Sequence, residues 1–289
     1  MQPVIKWSGS KRSQAESITS YIPNKKYDTY FEPFCGGCSV LAYILEHENI
    51  ANKFNNFICS DLNTDLIKSL NLIKFNPNEV VVGYEKRWKE MNEESKSIDD
   101  KKIYFNEIRT RLNKFHEPSD FIFIMRTTVN GMPRYNQNGD FNNAFHVTRD
   151  GINPNKFEKI VNEWNFLLNK FNVQFVNQSF EKINPSKEDL VYIDPPYANT
   201  KGMYFGGFNQ MSLFSFLKRL ESDWLMSYDG IAGNTQLTSE VPKNLFKRHV
   251  YINNGNSAFR RVVGKDKNCN VQESLYTNFE LESQWLFEI

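Results

Sequence analysis

Asp194-Pro195-Pro196-Tyr197 sets a carboxylate, a rigid turn and an aromatic ring in four consecutive residues. The run before it, Leu190-Val191-Tyr192-Ile193, is short and continuously apolar, as expected of a strand buried on both faces of a parallel sheet. Neither proline has an N–H to give a sheet ladder, so the strand must stop there. Asp194 and its neighbouring carbonyls then face outward at the carboxyl end of the sheet, where open α/β sheets bind ligands. Acceptors beside a flat ring suit a planar base with an exocyclic amino group: the acceptors take its N–H protons and the ring stacks on it. Alone, the tetrapeptide is equally well an ordinary turn.

A second cluster lies nearer the start. The β-rich run Thr29-Tyr30-Phe31-Glu32-Pro33-Phe34 leads into Cys35-Gly36-Gly37-Cys38-Ser39, followed by Val40, Leu41, Ile44 and Leu45 at helical spacing. Glycines there admit a positive φ or the close approach of a ligand, and Ser39 is placed to cap the helix. The next apolar run, Phe57-Ile58-Cys59, ends at Ser60-Asp61-Leu62-Asn63. Asp61, roughly twenty-five residues past the turn, suits a carboxylate accepting from both hydroxyls of a ribose; the competing reading is a helix N-cap. Neither G-x-x-x-x-G-K-[ST] nor G-x-G-x-x-G occurs, so no phosphate cradle accompanies the turn. A nucleoside without phosphates therefore fits better than ATP or NAD, and S-adenosylmethionine is such a ligand. Lys11 would meet its carboxylate and Trp7 would pack against it; the plain alternatives are a surface lysine and a core tryptophan.

These residues need a sheet to hold them. Strand, glycine turn, helix, strand and acidic residue form the opening unit of a nucleotide-binding α/β sheet, with a helix expected through Ala15 to Tyr21 before it. The sheet resumes at Val173-Gln174-Phe175-Val176, Leu190–Ile193 and Trp224–Tyr228, and His249–Ile252 with Ser274–Phe279 read as an antiparallel pair at one edge. Between Leu66 and Phe166 charge density rises and helical patterning dominates, with Phe121–Met125 as the apolar centre of one helix. Asn138-Gly139 gives a hairpin signal late in that block. The expected fold is α/β: a Rossmann-like sheet formed by 1–65 and 167–289, with an inserted, mostly helical domain over 66–166 that bears a β-hairpin.

Composition narrows the class further. With 24 Phe and 13 Tyr in 289 residues the chain is rich enough in apolar bulk to bury a core. The net charge of +1 announces no nucleic-acid binder, so any basic face must be local. Lys243, Lys247, Arg248, Arg260, Arg261, Lys265 and Lys267 supply one candidate segment. Cys35 and Cys38 form a C-x-x-C without a second pair or a histidine pair at zinc spacing, so no metal is expected. No apolar run is long enough to cross a membrane and no signal peptide is evident, so the expectation is a cytoplasmic protein.

Five motifs, in order, carry a resemblance: Lys6-Trp7-Ser8-Gly9-Ser10-Lys11, Phe31-Glu32-Pro33-Phe34-Cys35-Gly36-Gly37, Ser60-Asp61-Leu62-Asn63, Asn130-Gly131-Met132-Pro133-Arg134-Tyr135-Asn136 and Asp194-Pro195-Pro196-Tyr197. The chain resembles the Dam-type DNA adenine-N6 methyltransferases over most of its length. That resemblance implies a Rossmann-like S-adenosylmethionine-dependent fold in which the insert recognises the target. It assigns Trp7, Lys11, Phe34, Gly36, Asp61 and Asp194 to the cofactor, Phe180 more loosely to its adenine, and Asp194, Pro195, Pro196 and Tyr197 to catalysis. The family usually has Gly where Ser10 and Cys38 stand, an aromatic wedge where Val129 stands, and Phe-Asn-Val-Pro-Phe-Gly where Phe141–His146 stand. The target therefore need not be GATC.

The expected reaction is methyl transfer to N6 of an adenine flipped out of double-stranded DNA. Tyr197 would stack on the base, while Asp194 and the Pro195 carbonyl accept its amino protons. Arg134 is the candidate to read a base edge, Met132 and Val129 to wedge against a base step, and Asn130, Asn136, Arg260 and Arg261 to contact DNA. N6-adenine methylation of RNA and a catalytically idle DNA-binding module are the alternatives. A restriction endonuclease counterpart is compatible with the resemblance, and the oligomeric state is open.

Overall fold

The computed structural model describes residues 1–196, 208–232, 235–236, 241–253 and 271–280. Apolar runs buried along their length make the sheet, as Leu190–Ile193 does at every position. Its strands are β1 (Tyr27–Glu32), β2 (Phe54–Asp61), β3 (Val173–Asn177), β4 (Leu190–Ile193), β5 (Asp223–Ala232), the two-residue β6 (Thr235–Gln236), β7 (Arg248–Asn253) and β8 (Val271–Thr277). They lie in the order β3-β2-β1-β4-β5-β8-β7, with β6 on β5. Pairs from β3 to β5 are parallel, and β8 runs antiparallel between β5 and β7. From β1 the chain proceeds outward through β2 and β3, then returns to lay β4 on the other side of β1. The order of strands thus reverses between β1 and β4, where open α/β sheets bind ligands at their carboxyl ends. This is the expected Rossmann-like sheet, antiparallel edge included.

Helices α1 (Ala15–Thr19), α2 (Ser39–Glu46), α3 (Glu48–Ala51), α4 (Thr64–Phe75), α5 (Pro77–Lys89), α6 (Ile98–Phe115), α7 (Pro118–Thr127), α8 (Pro154–Lys170) and α9 (Gln210–Arg219) accompany the sheet, with a π-helical turn at Glu90–Glu94 and 3₁₀ turns at Val129–Gly131 and Phe180–Lys182. Helix α8 buries Phe157, Ile160, Val161, Trp164 and Leu168, a stripe with the 3.6-residue period. Helix α7, expected from Phe121–Met125, is buried from Asp120 to Thr127. A carboxylate at such a place is costly unless paired. Asp120 is held by Arg87 of α5 at 2.6 Å and Arg111 of α6 at 2.5 Å. The apolar side chains of the 66–166 block and those of β1 and β2 join in one continuous core.

Three local expectations are corrected. Helix α1 stops at Thr19 rather than Tyr21. Ser39 does not cap α2: Cys38 is the N-cap residue, without a side-chain hydrogen bond, and the Ser39 hydroxyl instead accepts the Lys11 N–H at 2.9 Å. The hairpin shrinks to a single antiparallel bridge, Tyr135 with Phe141, around a turn in which Gly139 has φ 86° and donates to the Asn136 carbonyl. Pro133 has no N–H with which to lengthen a ladder. The Asn113 side chain also takes the place of a strand, accepting the Phe141 N–H at 2.8 Å and donating to its carbonyl at 3.0 Å.

Candidate active site

The carboxyl ends of β1, β2 and β4 open into one cleft that is continuous with solvent. Trp7, Lys11, Phe34, Gly36, Asp61, Phe180, Asp194, Pro195 and Pro196 all line it, so residues up to 189 positions apart in sequence converge there. The prolines end β4 as their missing N–H groups require, and Asp194 is left at the rim with its side chain 19 % exposed.

On the other side of the cleft, the turn after β1 is shaped around Trp7. A Cβ on Gly36 would stand 2.8 Å from Trp7 Nε1, and one on Gly37 2.8 Å from Trp7 Cβ. Gly36 also has φ 46°, in the left-handed region open mainly to glycine. Its N–H donates to Asp61 Oδ2 at 3.1 Å, and Asp61 Oδ1 accepts the Asn63 N–H at 2.9 Å. Asp61 is therefore not the cap of α4. Asn63 is, its side chain accepting the Leu66 N–H at 3.0 Å. Burial raises the Asp61 carboxyl pKa, and the hydrogen bonds from Asn63, Gly36 and Leu62 oppose the rise. Phe34 and Phe180 flank the same space with ring centroids 5.0 Å apart.

The loop that carries Trp7 and Lys11 is held from behind by the helical block. Arg126 of α7 donates to the carbonyls of Val4 and Pro3, the former at 2.7 Å, and Trp164 of α8 donates to the Gln2 carbonyl at 2.8 Å. Burial lowers the Arg126 pKa to about 10. Lys11 is no surface lysine. It is 5 % exposed, and its Nζ lies 2.8 Å from Asp194 Oδ1 and 3.0 Å from Glu273 Oε1. Burial pushes its pKa down, but the two carboxylates push it up further, and the net shift is upward. Asp194 shows the converse. Burial raises its pKa to about 6, Lys11 pulls against that rise, and Glu273 adds to it.

Two acidic residues in this arrangement received no role from the sequence. Glu32, at the end of β1, is 3 % exposed and accepts the Tyr30 hydroxyl at 2.8 Å. Burial is the main cause that lifts its pKa to about 8. Glu32 stood inside a quoted motif and could have been suspected. Glu273 on β8 had no local signal beyond being a lone acid among Leu275, Tyr276 and Thr277.

The residues expected to contact DNA form a separate patch that does not line the cleft. Arg134, Asn130 and Asn136 are exposed, and Val129 and Met132 are half-buried. The Asn136 side chain organises its own turn by accepting the N–H groups of Asn138 and Asp140, each at 2.9 Å. Asn143 ties the patch together from beneath by donating to the carbonyls of Val129 at 3.0 Å and Met132 at 2.9 Å. Ser8 N–H to the Gly131 carbonyl, 3.0 Å, and Asn63 Nδ2 to the Tyr135 hydroxyl, 2.5 Å, fasten the patch to the cleft wall. Tyr197, Arg260 and Arg261 lie outside the described residues.

Cys35, Cys38 and Cys59 are buried free thiols whose pKa values burial raises. No metal-holding cluster of His, Cys, Asp or Glu occurs among the described residues. Among the same residues, no helix is long and apolar enough to cross a membrane.

Residues 7–256 match the family model described as D12 class N6 adenine-specific DNA methyltransferase. The type II methyltransferase M.CviBI of Paramecium bursaria Chlorella virus NC1A is 27 % identical over 255 residues, covering 83 % of this chain and 86 % of that protein. The DNA adenine methylase of Haemophilus influenzae is 26 % identical over 258 residues, covering 83 % and 82 %. The type II methyltransferase M.FokI of Planomicrobium okeanokoites is 29 % identical over 294 residues; the match takes in 95 % of this chain and only 42 % of M.FokI.

Proposed function

The chain belongs to the D12 class of N6 adenine-specific DNA methyltransferases, and from that premise we propose that S-adenosylmethionine is its methyl donor and that the cleft at the β1–β4 reversal is where transfer occurs. The observation that carries this reading is the sharing of one cleft by Asp194, Asp61 and the glycine turn. The donor set fits an adenosyl amino acid. Asp61 would take the ribose hydroxyls, Phe34 and Phe180 would flank the adenine, and the walls made by Trp7, Gly36 and Lys11 would receive the amino-acid end. When bound, the cofactor supplies an electrophilic methyl group on sulfur.

The remaining chemistry belongs to the chain. Asp194 and the Pro195 carbonyl accept the two N6 protons of a flipped adenine, which draws the nitrogen toward sp³ character and frees its lone pair. Tyr197 stacks on the ring. Catalysis is then orientation and electrostatics, without a covalent intermediate on the protein. Extrusion of the base is required because the amino group is hidden inside a duplex. Residues 66–166 serve as the target-recognition unit, with Arg134 as the base reader, Met132 and Val129 as the wedge, and Asn130 and Asn136 beside them. Arg260 and Arg261 would add backbone contacts, and the target sequence need not be GATC. The relatives named as type II methyltransferases favour a restriction endonuclease counterpart.

Asp194→Asn tests the assignment. It keeps the shape and removes the charge, so transfer of a tritiated methyl group to duplex DNA should fall by at least ~100-fold with the fold retained by circular dichroism. Turnover close to that of the unaltered chain would refute it.

A further inference from the structure

Glu273 is a buried carboxylate in the middle of β8. Alternation along β8 puts it on the same face as Leu275, and it is 4 % exposed. Opposite it, β5 departs from regular pairing: Tyr228 faces Ser274 and Gly230 faces Glu273, leaving Asp229 as an extra residue. Bulges of this kind re-aim side chains and recur beside functional sites. The side chain reaches Lys11, which it shares with Asp194. One buried ammonium thus faces two carboxylates.

We propose that Glu273 is a positioning residue for methyl transfer: by holding Lys11, it keeps Asp194 from being sequestered in an ion pair and leaves that carboxylate available to the substrate amine. This rests on the reading that Asp194 receives the N6 protons. A lysine paired with Asp194 alone would have to be pulled away from it each time an adenine entered. With Glu273 present, Lys11 retains a partner when Asp194 turns to the amine, and no unpaired charge is left buried. Among the described residues, the titratable groups facing Asp194 are Lys11 from the N-terminal loop, Glu273 from β8, Glu32 from β1 and Tyr192 from its own strand. Of these, Lys11 alone stabilises the ionised form by its charge, and Glu273 opposes it.

The test is the pH profile of Glu273→Gln, measured with tritiated S-adenosylmethionine and duplex DNA. The acid limb of kcat should move to lower pH, because Asp194 loses a neighbouring negative charge and a competitor for Lys11. At pH 8, kcat should drop by about tenfold while KM for the methyl donor changes by less than about threefold. Glu273→Asp, which keeps the charge, should restore the acid limb. An unmoved limb in Glu273→Gln overturns the proposal, because a merely structural role would lower the amount of active protein without shifting it. Should that variant fail to fold, the Asp194 carboxyl of the unaltered protein can be titrated by ¹³C NMR. A midpoint near 6 is expected, and one at or below the ordinary ~3.9 sinks the idea. If the unaltered protein moved no methyl group to adenine, the parent reading would fall, whereas a lower Asp194 carboxyl midpoint in Glu273→Gln than in the unaltered protein would still report on Glu273.

Discussion

At Asp194 the acidity of one side chain is set by competition between burial and a shared lysine. Burial lifts the carboxyl to about 6 and Lys11 restrains it, so at neutral pH the group is ionised in a place where ionisation is costly. A carboxylate so placed gains more from an amine N–H donor than a solvated one would. Arg134 stands at the opposite extreme, an exposed guanidinium whose backbone is fixed by the Asn142 N–H to its carbonyl at 2.9 Å. Such a group can reach a base edge without first breaking a partner. Arg134→Ala should relax sequence preference at one position by ~1–3 kcal/mol while weakening nonspecific binding far less. Mapping methylated adenines in DNA from cells expressing the variant checks this, and an unchanged site preference would count against it.

At the scale of elements, the turn after β1 is the most constrained connection. Trp7 fills the space above Gly36 and Gly37, and Cys38 also takes a left-handed conformation at φ 55°. The residue that would relieve that strain is glycine. Gly36→Ala would place a methyl group 2.8 Å from Trp7 Nε1 and strain the backbone at the same time. The expected outcome is a loss of ~1–3 kcal/mol in stability and weaker binding of S-adenosylmethionine, measured by thermal melting and calorimetry. A variant with unaltered cofactor affinity would mean that the turn serves packing alone. Helix α4 contributes through its cap: Asn63 accepts from Leu66, donates its backbone N–H to Asp61 and its side chain to Tyr135. A residue that caps a helix thereby joins the cleft to the turn that carries Tyr135.

Across the whole molecule, the helical block and the sheet share a core, and the N-terminal loop is clamped between them by Arg126 and Trp164. Stability should carry the signature of the buried acids in this core. Glu32 has a folded-state pKa raised from 4.5 to about 8, so the folded state holds a proton that the unfolded chain releases. Its contribution is complete below pH 4.5 and is lost progressively as pH climbs through about 8. Denaturant midpoints should fall between pH 5 and pH 8.5. Glu32→Gln should flatten that fall by an amount on the order of a few kcal/mol. An identical slope in the variant would show that Glu32 does not hold its proton.

The sequence by itself determined most of the strands, the glycine turn and the carboxylate stopped at the sheet rim by two prolines, whereas the order of the strands in the sheet came from the tertiary structure. Apolar periodicity, missing N–H groups and positive-φ positions are local properties, readable wherever they fall. The sequence left Asp61 between two readings, a carboxylate for a ribose and a helix N-cap, and only the structure gave the cap of α4 to Asn63. Only the tertiary structure decided that Lys11 is buried between Asp194 and Glu273, that Glu32 is buried beneath the same cleft, and that Asn113 replaces a strand and cuts the hairpin to one bridge. Those outcomes depend on which groups the topology brings within a few ångströms across tens to hundreds of residues. Charge pairing and hydrogen-bond substitution leave no periodic trace along a chain.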